Sequence, residues 1–168
     1  MPQSKKVQDL MIPLEDYPHM PYWFNLRQAI ALIRESALKF EGSFEPRAVL
    51  VFDEKYQLMG ILTYRDIIKG LEPRFFHETA LIKADASLAT LTKDFSAQSL
   101  KEASQKQVSE IMSPIKITVK VDDPITKAMF IMIKEGVGLM PVMSEKKVVG
   151  MISMSSLFKE MSDLVMGD

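Results

Sequence analysis

The residues best suited to chemistry stand in the stretch GILTYRDIIKG, Gly60 to Gly70. Thr63 and Asp66 lie three apart, with Arg65 beside the acid. The apolar residues up to Leu62 read as the end of a strand, and Ile67 and Ile68 as the start of a helix. A hydroxyl followed three residues later by an acid suits that junction. Thr63 can cap the helix while Asp66, at its third position, complements the helix dipole and reaches back to the cap's N–H. The same geometry suits a ligand. A helix N-terminus presents free N–H groups, and a carboxylate beside them can accept hydrogen bonds from two vicinal ribose hydroxyls, as the acidic residue of dinucleotide folds does. An isolated carboxylate is a poor phosphate site and a good diol site. The two roles do not exclude each other. Arg65 is either a phosphate contact or half of an exposed ion pair worth little. Arg47, three residues before Leu50, is a second cation whose planar fork suits phosphate oxygens; its alternative is a solvated residue of an insertion.

Composition removes other chemistries. The chain of 168 residues is 47% hydrophobic and 26% charged, as expected of one compact domain or two small ones sharing a core. There is no cysteine, which excludes a thiol nucleophile and a disulfide scaffold; a reducing, cytoplasmic location is expected. With two histidines, His19 and His77, neither in a recognisable motif, a structural zinc site and a Ser-His-Asp triad are not expected. The net charge of −1, with no basic block longer than a pair, argues against nucleic acid as a partner. No apolar run is long enough to insert in a membrane, and the opening MPQSKKVQDLM lacks the apolar core of a signal peptide.

The elements that position the Thr-x-x-Asp set occur twice. VQDLMIP (Val7 to Pro13) matches VSEIMSP (Val108 to Pro114) at three of seven positions. GILTYRDI (Gly60 to Ile67) answers GMISMSSL (Gly150 to Leu157), and AVLVFDEKYQLMG answers LMPVMSEKKVVG. In the second copy, Ile115, Ile117, Val119 and Val121 alternate with polar residues, which predicts a half-buried strand. Asp123-Pro124 predicts a cap with Pro at the first helical position. Ile125, Ala128, Met129, Met132 and Ile133 share one helical face, and Gly136 and Gly138 end that helix. Strands over Leu139–Met143 and Val148–Ile152 follow, then a helix opened by Ser153 with Leu157, Phe158 and Met161 on one face.

The first copy has the same order. Its leading strand is broken by Pro13, Pro18 and Pro21. A helix capped by Asn25 runs to Phe40 and buries Leu26, Ala29, Ile30 and Ile33. An insertion near 41–47 precedes strands over Ala48–Phe52 and Leu58–Leu62. Each unit, about fifty residues long, is too small to stand well alone. Between the copies, residues 71–107 exceed a simple loop. Leu88, Leu91, Phe95 and Leu100 suggest one or two helices there, and Phe75 and Phe76 are expected to pack. The thirteen methionines, Met140, Met143, Met151 and Met154 among them, read mainly as core fillers, with a methionine-lined adenine cleft as the alternative.

The repeated order, the Met-x-Pro leader, Pro141-Val142 and the closing Gly-apolar-apolar-Thr/Ser-x-x-Asp resemble a tandem pair of CBS domains, named after cystathionine β-synthase. The resemblance implies an α+β fold of two β-α-β-β-α units with pseudo-twofold symmetry: residues 1–70, a helical linker over 71–107, and residues 108–168. It implies a non-catalytic regulatory module with an adenosine nucleotide (AMP, ADP or ATP) between the copies as regulatory ligand, and no required cofactor or metal. Asp66 would bind ribose and Thr63 ribose or phosphate. Arg47 stands where nucleotide-binding members, including the regulatory gamma subunit of AMP-activated kinase, often place a phosphate contact. Ala48, Ile61 and Arg65 complete that side. Thr118, Val119, Met140, Pro141 and Ser153 would line the other, with Val119, Met140 and Pro141 about an adenine. Ser156 replaces the Asp and Gly138 the Arg in that copy, so one dominant site per chain is expected. S-adenosylmethionine is a rival ligand, and a ligand-free dimerisation or assembly module with vestigial sites a rival function. A homodimer is expected, with a separate regulated protein as its unknown partner.

Overall fold

The computed structural model describes residues 5–39, 48–71 and 97–167. Helices are α1 (Val7–Leu10), α2 (Leu26–Lys39), α3 (Tyr64–Leu71), α4 (Ala97–Ala103), α5 (Val108–Ile111), α6 (Ile125–Glu135) and α7 (Met154–Met166). Strands are β1 (Ile12–Pro13), β2 (His19–Pro21), β3 (Ala48–Phe52), β4 (Leu58–Thr63), β5 (Ser113–Pro114), β6 (Val119–Lys120), β7 (Leu139–Ser144) and β8 (Lys147–Ser153). They form two mixed four-stranded sheets, ordered β2-β3-β4-β5 and β6-β7-β8-β1. In each sheet the first pair is parallel and the other two are antiparallel. The fold class is α+β, as the repeated order implies.

The chain divides into two compact units, one of residues 1–17 with 115–168 and one of residues 18–114. Packing therefore follows a different division from the repeats: each Met-x-Pro leader lies in the unit built on the other repeat. In the first unit, Val7 N–H donates to Asp123 O at 2.8 Å, and Pro13 pairs with Gly150. In the second, Val108 N–H donates to Phe24 O at 2.8 Å, and Pro114 pairs with Gly60. Glycine is required at both hairpins. A Cβ on Gly60 would lie 2.6 Å from Met112 Sδ, and one on Gly150 would lie 2.7 Å from Ile12 O. The leader strands can approach only because neither position has a side chain.

In the second unit, Leu26, Ala29 and Ile33 of α2 pack with Val49, Val51, Leu62, Ile67 and Val108. Asn25 caps α2 as its sequence suggests: Asn25 Oδ1 accepts from Gln28 N–H, and Gln28 Oε1 accepts from Asn25 N–H, each at 2.9 Å. The end of the linker completes that cap, because Leu26 and Arg27 N–H donate to Lys106 O and Ser104 O. In the first unit, Val119, Ala128, Met132, Met140, Val142, Ile152 and Leu157 form the core. Gly136, at φ 66°, ends α6 in the left-handed conformation and donates its N–H to Met132 O.

Two expectations need correction, the length of one strand and the cap of α6. Only Val119–Lys120 of the alternating run Ile115–Val121 is strand, because β6 pairs along one edge with just Val142 and Met143. The leading strand of the first copy, broken by its prolines, is the short β2, an edge strand parallel to β3, where a missing donor is tolerated. Pro124 is the cap residue of α6 rather than its first helical residue. Asp123 instead closes the preceding turn by accepting from Lys120 N–H at 2.9 Å, a bond that, with Lys127 nearby, holds its carboxyl below the ordinary range. The apolar stripes of α6 and α7 extend beyond the core: Ile133, Phe158 and Met161 are each exposed. Phe40, the insertion at 41–47, and the expected linker residues Phe75, Phe76, Leu88, Leu91 and Phe95 lie outside the described residues, whereas Leu100 lies in α4.

Candidate functional site

Strand β4 ends at Thr63 and α3 begins at Tyr64, so the Thr-x-x-Asp set sits on a strand-to-helix junction. Register places Thr63 opposite Ala48 and Ile61 opposite Leu50. Ala48 and Ile61 are buried, Thr63 and Asp66 are half-buried, and Arg65 is exposed. The junction is a reciprocal cap. Asp66 Oδ2 accepts from Thr63 N–H and from Thr63 Oγ1–H, each at 2.9 Å. Asp66 N–H donates back to Thr63 Oγ1 at 3.3 Å.

The other carboxylate oxygen has a partner that the spacing did not point to. Ser113 Oγ donates to Asp66 Oδ1 at 2.9 Å. Ser113 lies on β5, opposite Ile61, and belongs to the leader of the second repeat. One signal was available in the sequence: Ser113 is the leader position at which the two copies differ in character, Ile12 being its counterpart.

The equivalent junction in the other unit has a different chemistry. Ser153 caps α7, accepting from Ser156 N–H at 3.2 Å, and its Oγ lies 2.9 Å from Ser156 Oγ and 3.2 Å from Ser155 Oγ. Three hydroxyls stand there with no carboxylate among them. Leu139 is opposite Ser153, and Met140 opposite Ile152. Met140 and Pro141 are buried on β7, Met140 within the core cluster; Val119 is buried and Thr118 exposed. Among the sequence-derived candidates, then, Ala48, Ile61, Thr63, Arg65 and Asp66 lie in one unit, and Thr118, Val119, Met140, Pro141 and Ser153 in the other. Arg47 lies outside the described residues.

Other chemistry has little support. Among the described residues, no group of three or more His, Cys, Asp or Glu could hold a metal ion. His19 stands edge-on to Phe52 and Tyr56, and its Nε2 is 3.4 Å from Tyr56 Oη, longer than a proton-transferring hydrogen bond. No described helix is long and apolar enough to cross a membrane.

Comparison with known proteins agrees with this fold. Residues 108–163 match the family model for the CBS domain. No curated protein matches the sequence. Among solved structures, a CBS domain-containing protein of unknown function from Bacillus anthracis is similar at a TM-score of 0.65 and 18% identity, covering 95% of this chain and 94% of that one. The structure of CBSX2 in complex with AMP is similar at 0.63 and 16%, covering 95% and 98%. The CBS domain pair of protein MJ0100, in complex with 5-methylthioadenosine and S-adenosyl-L-methionine, is similar at 0.63 and 18%, covering 96% and 98%. Residues 108–163 thus resemble a CBS domain, and the chain has the fold of a tandem CBS-domain pair.

Proposed function

We propose that the chain is a non-catalytic regulatory module that binds an adenosine-containing ligand, with Asp66 as the acceptor for the ribose diol. The carrying observation is the Asp66 carboxylate, half-buried at the N-terminus of an eight-residue helix and held in a fixed orientation by Thr63. A carboxylate so held can accept from ribose hydroxyls without the entropic cost of ordering a free side chain. Similar folds hold AMP, or 5-methylthioadenosine and S-adenosylmethionine, which share adenine and a ribose diol. AMP, ADP and ATP are the favoured ligands. A ligand that prefers one arrangement of the protein shifts its population toward it, and a partner reads that shift.

A thermal-shift panel of AMP, ADP, ATP, S-adenosylmethionine and NAD tests the reading, because a ligand that binds only the folded protein raises its melting temperature. Calorimetry then assigns the site. Each hydrogen bond to the charged carboxylate contributes about 1.5–3 kcal/mol, so Asp66→Asn should weaken AMP binding by roughly ten- to a hundredfold. Ser156→Ala should leave it unchanged. The opposite pattern would assign the ligand to the other junction and reduce Thr63–Asp66 to a helix cap.

A second reading, an assembly module without a ligand, draws on Ser156 in place of a carboxylate and on the apolar exterior of α6 and α7. Phe130, Ile133, Phe158, Leu164 and Val165 are all exposed on these two helices. Exposed apolar side chains in such number mark an interaction surface. We assign them to a second copy of this chain, and a sensor and a homodimer are compatible.

A further inference from the structure

We propose that Ser113 is a latch on the Asp66 carboxylate, holding one acceptor site while no ligand is bound and yielding it to a ribose hydroxyl. The proposal rests on the reading of Asp66 as the diol acceptor. A carboxylate offers about four lone-pair sites. On Asp66, Oδ2 already accepts from Thr63 N–H and Oγ1–H, and Oδ1 accepts from Ser113 Oγ–H. A vicinal diol that donates both hydroxyl hydrogens needs two open sites. With all three protein bonds in place, roughly one is left.

One existing donor must therefore withdraw, and the geometry selects which. The Thr63 bonds belong to the cap of α3, and Thr63 Oγ1 also accepts from Asp66 N–H. Their loss would unmake the helix start. Ser113 is exposed, so its hydroxyl can turn to water at little cost. The two copies support the pairing of roles. Ser113 is opposite Ile61 in one sheet as Ile12 is opposite Met151 in the other. Where Ile12 stands, the helix junction has Ser156 in place of the acid. The hydroxyl of the leader and the carboxylate are present together in one unit and absent together in the other. Release of Ser113 would remove a side-chain tie between the leader and the junction at the moment the diol binds, which gives that leader a direct means of sensing occupancy.

Calorimetry with AMP and with 2′,3′-dideoxyadenosine monophosphate, on the full chain, tests this. Removal of a competing exposed hydrogen bond should tighten AMP binding to Ser113→Ala by about three- to tenfold. The dideoxy nucleotide should bind Ser113→Ala and wild type alike, since it brings no diol to compete. Ser113→Thr restores a hydroxyl and should return AMP affinity toward wild type. If Ser113→Ala binds AMP no tighter than wild type while Asp66→Asn weakens it, the latch is refuted and the Asp66 site stands. Equal tightening for both nucleotides would also refute the latch, because the effect would not pass through the diol. If Asp66→Asn leaves AMP binding unchanged, the diol reading and the latch fall together.

Discussion

Burial pushes the Tyr17 hydroxyl from an ordinary value of 10.0 up to about 12. Its titration therefore makes stability fall at alkaline pH. Below pH 10 the phenol is neutral whether the chain is folded or not. Between 10 and 12 the unfolded chain releases the proton and the folded chain retains it, so rising pH favours unfolding. The loss across that window should approach about 2–3 kcal/mol. Urea denaturation at pH 9 and pH 11.5 should show a smaller alkaline loss in Tyr17→Phe than in wild type; equal losses would contradict it. At this same scale, Asp66 was legible in the sequence because hydroxyl and acid at a three-residue spacing report a local geometry. Ser113 was not legible as its partner, since they are 47 residues apart in the chain and only strand pairing brings them to 2.9 Å.

Among the elements, α6 offers the clearest test of a backbone argument. Gly136 ends it at φ 66°, and a Cβ added there would meet nothing within 4 Å. Gly136→Ala should therefore cost only the intrinsic strain of the left-handed conformation, about 1 kcal/mol. Asn tolerates that conformation better, so Gly136→Asn should recover part of the loss. Equal melting temperatures for Gly136→Ala and wild type would show that the terminus relaxes instead. Helices and hairpins were largely readable from sequence, since their periodicity, caps and glycines are local. The short edge strands were legible in place but not in length. β2 and β6 extend only as far as β3 and β7 offer them an edge, which no local pattern reports. An apolar stripe, such as those holding Phe158 and Ile133, does not by itself say whether its cover is in the same chain.

For the whole molecule, the prediction is association. Closed twofold dimers are the commonest oligomers, and the exposed residues of α6 and α7 provide an apolar surface for one. Light scattering at micromolar concentration should give twice the chain mass, and Phe158→Glu with Val165→Glu should reduce it to one; a monomeric wild type would remove the claim. The exchange of leaders has a different kind of consequence. Because β1 completes the sheet of the second repeat and β5 that of the first, neither repeat contains a whole sheet of its own. Severed between repeats, each fragment would carry an open strand edge and a leader with no hairpin to pair with, and the two fragments would be complementary strangers that need each other to fold. The two repeats legible in the sequence are thus halves that complete one another: they differ at the helix junction, where one has Asp66 and the other Ser156, yet each supplies the strand that finishes the other's sheet.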